Sequence, residues 1–521
     1  MGLKRYTASA DTTITNAFKD NLVQRGTGSN MGYSDAVEVF SLYGQTSSSA
    51  EGQSQELSRA LIKFPITSIS ADRTAGNIPV SGSVKFYLKI FNARHPWTLP
   101  QDFTLVVAAV SSSWNEGTGL DMDNYSDPGN ANWMSASTTT AWSNLGGDYR
   151  DDNDASGAPV YRQTFPLGYE DLSIEITPTV ERWMQTSGTA LHIDNYGLGL
   201  FLTSSQEAYA AAGTAGGVLE NTGGADVSYY TKTFFARSTE FFFRRPHIEA
   251  RWDSRIQDDR GYFYYSSSMA PATDNLNTLY LYNYVRGRLT NIPAIGTGFV
   301  YVSLFSGNNA NTMPTTNSAQ ILYDVPTLST NTVVTGGWVS TGIYSASMCM
   351  TSSSATAAPT KLFDVWSSSP TGSVQYKTGS VVPTTFDSWA GGAPTFDRVT
   401  TIKNLRRSYG RKQTARFRTF VRDRNWSPTI YTVATRNNPT EIIDSASYKI
   451  IRMVDDLEVI PYGTGSEFST YLSFDVTGNY FDLDLRALEA GYMYGIKLTY
   501  YNASIASWIE QPETFKFRVE E

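Results

Sequence analysis

Apolar residues return at every second position in stretch after stretch of this chain. Val84, Phe86, Leu88 and Ile90 alternate with Lys85, Tyr87 and Lys89, the pattern of a strand with one face in a core and the other in solvent. Phe481, Leu483 and Leu485 alternate in the same way with Asp482, Asp484 and Arg486, Tyr492 to Leu498 repeat the pattern, and Phe515, Phe517 and Val519 alternate with Lys516, Arg518 and Glu520. Phe103 to Val110 is apolar on both faces, as a central strand is. A helical period is legible once, over 177–183, where Pro178 suits a first turn and Val180 and Trp183 lie three apart. A chain patterned this way is all-β.

At 521 residues it exceeds one ordinary core, and Gly, Ser, Thr and Asn scattered between the strands mark turns. The stretch Ser228–Asp253 closes the first part: His247, Glu249 and Arg251 alternate with Ile248, Ala250 and Trp252, which predicts one wet face, and Phe241, Phe242 and Phe243 predict a strand covered on both sides or leaning on a neighbouring subunit. A polar, aperiodic run from Asp253 to Gly261 follows and marks a boundary. The predicted domains are 1–253, 262–394 and 396–521, the last two immunoglobulin-like sandwiches, with a loop over 351–360 and a Gly/Pro break at 388–395. Trp114 to Pro166, rich in Gly, Asp and Asn, predicts a long decorated loop on the edge of the first domain.

Net charge is −8 at pH 7, which argues against nucleic acid as the partner of the chain as a whole. Cys349 is the single cysteine, so no intrachain disulfide forms and no thiolate cluster holds a metal. No stretch has the ~20 apolar residues of a membrane span, and the opening residues lack the apolar core of a signal peptide; assembly inside a cell is expected, whatever the final location.

Several short motifs carry a resemblance: AlaAspThrThrIle at 10–14, GlySerAsnMetGly at 28–32, ArgAlaLeuIleLysPhe at 59–64, TrpAsnGluGly at 114–117, IleThrProThrValGluArgTrp at 176–183, TyrGlyLeuGlyLeu at 196–200 and PheAlaArgSer at 235–238. In their order they resemble the DNRLRE family, jelly-roll β-sandwiches similar to carbohydrate-binding modules. The resemblance implies an N-terminal jelly roll in which Trp114 and Trp183 are core residues and Arg237 is buried or at an edge. SerAlaSerTyrLysIleIle at 445–451 and the segment 481–492 resemble structural proteins of tailed-phage virions. This implies a non-enzymatic component of a head, neck, tail or fibre, located in the virion, with other virion proteins and copies of itself as partners.

Four constellations are candidates for chemistry. Glu116, Asp121, Asp123 and Asp127 share the polar loop, and a glycan depolymerase needs two such carboxylates at suitable spacing; acidic turn residues equally accompany Gly and Asn, and no catalytic residue is assigned. The histidines His95, His192 and His247 sit in no nucleophile motif. Asp152, Asp154, Ser156 and Gly157 begin like a Ca²⁺ loop, but Gln163 stands where the bidentate glutamate belongs, so a solvated acidic turn is the expectation and no metal or cofactor is assigned. Trp97, Trp133 and Trp142 lie in or beside loops where a flat aromatic platform would bind a host-surface glycan, the alternative being core anchors.

The fourth constellation is the basic run Arg398–Arg424, in which Asp423 is the single acid. Arg416, Arg418, Arg422 and Arg424 alternate with Phe417, Thr419 and Val421, which predicts a guanidinium row on one sheet face. With Arg406, Arg407 and Arg411 it is expected to meet an acidic neighbouring protein, since Arg pairs bidentately with carboxylates, the alternative partner being packaged DNA. The expected function is therefore a virion structural protein; the alternatives are a carbohydrate-binding adhesin or fibre and, third, a depolymerase.

Overall fold

A computed structural model describes residues 2–43, 55–94, 99–154, 156–214, 216–266, 271–307, 319–325, 328–350, 359, 361–383, 398–427, 430 and 440–521. Trp97, His95, the loop at 351–360 apart from Pro359, and the break at 388–395 lie outside the described residues. The architecture is all-β with several antiparallel sheets, and the chain divides into two compact units, Gly2–Asp253 and Ser254–Glu521.

Among its described residues the first unit holds eleven strands: β1 Leu3–Thr7, β2 Ala10–Thr15, β3 Ala36–Tyr43, β4 Gln55–Lys63, β5 Lys85–Ile90, β6 Phe103–Ala109, β7 Tyr161–Phe165, β8 Leu172–Glu175, β9 Leu198–Leu202, β10 Tyr229–Phe235 and β11 His247–Arg251. They form a four-stranded sheet, β1-β11-β5-β8, and a seven-stranded sheet, β10-β3-β4-β9-β6-β7, with β2 paired to β4. The inward residues read from the sequence, Phe86, Leu88 and Ile90 of β5 and Leu198, Leu200 and Leu202 of β9, meet in one core between the sheets, because a period of two puts every second side chain on the same side.

The helix expected at 177–183 is present as α2, Thr177–Trp183, with Pro178 in its first turn. A second helix, α1 Ile66–Thr74, has no counterpart in the sequence reading. It follows Pro65 and buries Ile69 alone, so it shows no stripe by which a helical period could be recognised.

Three expectations for this unit change. Phe242–Arg244 form a 3-10 turn instead of a strand, with Arg245 held extended before Pro246, Phe243 buried, and Phe241 exposed against the edge of Phe235. The predicted wet face of β11 is buried: β11 runs between β1 and β5, and Arg5 and Arg251 fold over Glu249 with Nε–Oε distances of 2.8 Å each. Burial pushes the Glu249 carboxyl up, but Arg5 and Arg251 outweigh it and hold it well below the usual range. The long polar loop is not simply exposed. It carries a core of its own on the outer face of the larger sheet, where Trp114, Ala131, Trp133, Ala136 and Trp142 pack on Ile14, Leu57 and Leu61.

In the second unit, the strands between Asn277 and Val381 form an eight-stranded sheet around a core that includes Leu279, Tyr344, Met348 and Trp366, apart from Tyr284–Val285 and Arg288–Leu289, which pair with each other. The strands between Arg398 and Glu520 form a four-stranded and a six-stranded sheet, into which Phe417, Phe481, Leu483, Tyr494, Ile496, Phe517 and Val519 are buried.

Candidate functional site

The polar loop of the first unit, where a site was expected, is held by its own carboxylates. Glu116 closes a bidentate pair with Arg237 at 2.6 Å for both contacts and also accepts from the Asp11 amide at 2.8 Å. Asp121 Oδ1 accepts from the amides of Asp123, Asn124 and Tyr125; Asp127 Oδ2 accepts from the Thr118 amide and from Asn30; Asp123 accepts from the Asp20 amide. Each acid therefore closes a turn or pins one segment to another, as Asp side chains do when they accept from nearby backbone amides. A residue that sequence reading missed, Asp11, lies behind Glu116. It is fully buried and takes the Arg237 amide at 2.6 Å on Oδ2, while Oδ1 has no hydrogen-bond partner among the described residues. Burial and the neighbouring Glu116 push its carboxyl up to about 7, with the Arg237 amide and charge opposing them.

The aromatic platform is corrected in the same region. Trp133 is fully buried and Trp142 nearly so, and their indole N–H groups donate to Gly217 O at 2.9 Å and Asn132 O at 2.7 Å. A ring with both faces packed and its polar edge satisfied offers nothing to a sugar. Beside Trp133 lies Arg59, also absent from the sequence reading, buried with Glu207 in contacts of 3.0 Å and surrounded by Trp133, Tyr149 and Phe201. Lys232 is likewise fully buried and donates to Asn92 Oδ1, Gly168 O and Glu170 O. Burial lowers its ammonium to about 8. A lone Arg or Lys in an apolar strand context gives no sign in sequence of the acceptors folded around it.

In the acidic turn, Asp154 pairs with Arg150 at 3.1 Å and takes the Ser156 amide, and Asp152 pairs with Arg162 at 2.6 Å. Among the described residues no cluster of three His, Cys, Asp or Glu side chains is arranged to hold a metal ion. His192 approaches Asp194 at 3.4 Å, and His247 is buried, its ring lowered to about 4 by burial and by Arg5. Cys349 is buried and free.

A pocket of about 650 Å³ opens in the first unit, lined by Phe18, Gln24, Arg25, Thr27, Ser29 and Ser126 among others. Arg25 lies over the Phe18 ring at 4.2 Å, and the buried Ser29 hydroxyl has no hydrogen-bond partner among the described residues.

The basic run separates into two parts. The strand Thr414–Asp423 does place Arg416, Arg418 and Arg422 opposite the buried Ala415, Phe417, Thr419 and Val421. Arg416 and Arg418 of that row have acidic partners inside the fold. Arg416 sits across from Asp482 in the adjacent strand and pairs with it bidentately at 2.8 and 2.9 Å, and Arg418 pairs with Asp475 at 2.8 and 3.0 Å. Both guanidinium groups stack on Tyr480, and donation to the Asp482 carboxylate raises the Arg416 guanidinium. Arg398 pairs with Glu441, and Arg422 donates to the carbonyls of Asp423 and Arg424. Arg406, Arg407 and Lys412 stand apart on exposed backbone around the short strand Ser408–Gly410, and among the described residues no carboxylate pairs with them. Arg411 is tied in through its amide, which donates to Glu520 O at 2.7 Å, and Arg424 is exposed in the turn after the strand.

No family model matches the chain, and no curated protein is similar to it.

Proposed function

We propose that the chain is a non-enzymatic structural protein of a tailed-phage virion, a jelly roll followed by two immunoglobulin-like sandwiches, that binds neighbouring virion proteins and copies of itself. The observation that carries this reading is the fate of the ionisable side chains. The loop acids that an enzyme would hold free are bonded to Arg237 and to backbone amides, whereas in the basic run the exposed Arg406, Arg407 and Lys412 meet no carboxylate among the described residues. Catalysis needs titratable groups converging on one reacting atom, whereas a scaffold uses them as internal fastenings and offers surface charge to its neighbours. The head, neck or tail position follows from the resemblance alone.

Locating the chain by electron microscopy and mass spectrometry in purified particles tests the proposal. Repeated copies at a fixed place in the particle are expected; absence from purified particles, or polysaccharide clearing by the purified chain, overturns it.

A carbohydrate-binding adhesin is the second reading, supported by the pocket around Phe18, Arg25 and Ser29, where hydroxyl, amide and aromatic groups converge. A glycan array with the full chain that shows saturable binding, lost on Ser29→Val, would favour it over pure scaffolding.

A further inference from the structure

The strand Ser408–Gly410 is the outermost strand of the six-stranded sheet. It runs parallel to Phe515–Glu520, with Ser408 opposite Arg518, Tyr409 opposite Val519 and Gly410 opposite Glu520. Arg518 donates its amide to Arg407 O at 2.9 Å, and the Arg411 amide donates to Glu520 O at 2.7 Å. In a parallel ladder, residues facing the partner alternate with residues facing away. Arg407, Tyr409 and Arg411 face inward, so Ser408 turns both its N–H and its C=O to the open side, together with the Gly410 N–H. The Gly410 carbonyl is taken by the Gln413 amide.

The edge is firmly seated. Tyr409 is buried edge-on between Phe417 and Phe517, and its hydroxyl accepts from the Arg406 amide at 2.9 Å. Around it the exposed Arg406, Arg407, Lys412 and Arg518 outnumber the exposed Glu520 and Glu521. Elsewhere in the basic run Arg398, Arg416 and Arg418 have acidic partners inside the fold. Arg406, Arg407 and Lys412, which meet no carboxylate among the described residues, thus lie beside backbone donors and an acceptor that no described residue pairs with.

We propose that Ser408–Gly410 receives an extended acidic segment of a neighbouring protein as an added strand, with backbone bonds at Ser408 and Gly410 and carboxylates on Arg406, Arg407 and Lys412. This rests on the scaffold reading above and names the partner's chemistry. Added strands take affinity from main-chain bonds and selectivity from flanking side chains. Cations beside a short strand also serve to keep an edge from pairing at all, and the two roles differ in what an acidic peptide does.

The test measures binding of the full chain to a short peptide alternating Glu and Val, and to the same peptide N-methylated at alternate residues. Saturable binding is expected that weakens with salt, falls roughly tenfold or more on Arg406→Glu with Arg407→Glu, and falls similarly with the N-methylated peptide. Arg416→Glu, on the compensated row, should leave it unchanged. No binding, equal binding of the N-methylated peptide, or self-association of the charge-reversed chain without peptide binding overturns the proposal. Peptide binding by a chain absent from particles would sink the virion reading and leave the docking site standing; particle incorporation without peptide binding would do the reverse.

Discussion

Glu116 and Arg237 form a bidentate ion pair at 2.6 Å, although 121 positions separate them in the chain. The pair fastens the start of the long loop to the backbone just after β10, and Asp11 accepts the Arg237 amide beside it. A residue that composition alone would nominate as a general acid thus serves as a clasp.

Replacing Glu116 with Gln should therefore cost stability and no catalytic activity. The change removes a charge-assisted bond at a partly buried site, worth about 1–3 kcal/mol. Urea denaturation of the first unit's transition in the full chain reads it directly, and an unchanged midpoint would show the clasp to be idle.

Asp11 gives the first unit a pH dependence of known sign. Its folded carboxyl titrates at about 7, above the ordinary value near 3.9 of an unfolded aspartate. Between those values the unfolded state has already released a proton that the folded state retains, so this residue's contribution to stability declines as pH rises from about 4 to about 7 and is level above. Asp11→Asn keeps an acceptor for the Arg237 amide and removes the titration. The variant should gain on the wild type as pH increases through that window; a constant difference in denaturation midpoint from pH 5 to pH 8 would refute it.

The compensated row predicts a swap. Arg416 and Asp482 are both more than a third exposed, at 40% and 34% of their side chains, so Arg416→Glu should cost no more than about 1 kcal/mol. It sets two acids opposite each other across a strand pair, and adding Asp482→Arg should restore the loss. Thermal melts of the four members of this cycle test it, and a double variant as weak as the sum of the singles contradicts the pairing.

The strand period of β5, β9 and the C-terminal strands was legible because alternate burial needs only local pattern. The boundary near Asp253 was legible for the same reason, as a place where that pattern stops. What the pattern could not reveal is what covers an outward face. His247 and Glu249 read as wet because they are themselves polar, yet both are buried: Arg5 and Arg251 pair over Glu249, and the Phe91 ring lies against His247. The same blindness made Trp133 a platform and Arg416 a free charge, since Gly217, Asn132 and Asp482 come to them from distant positions. α1 was invisible because a helix that buries only Ile69 leaves no period to read.

The buried pair Arg59 and Glu207 gives the largest expected effect. Both side chains are less than a tenth exposed, and aromatic rings of Trp133, Tyr149 and Phe201 surround the guanidinium. Glu207→Gln leaves Arg59 charged with no carboxylate in a site from which it cannot reach solvent, a change that typically costs 3–5 kcal/mol, so about that much is expected here. Removing both charges with Arg59→Met and Glu207→Leu takes away the desolvation penalty together with the attraction, and most of the loss should be recovered. Trp133 fluorescence is suited to follow the transition, because its ring lies 5.6 Å from the guanidinium carbon. If the double replacement is no more stable than Glu207→Gln alone, the pair does more than cancel its own charge, and the packing of the loop core on β4 depends on the ions themselves.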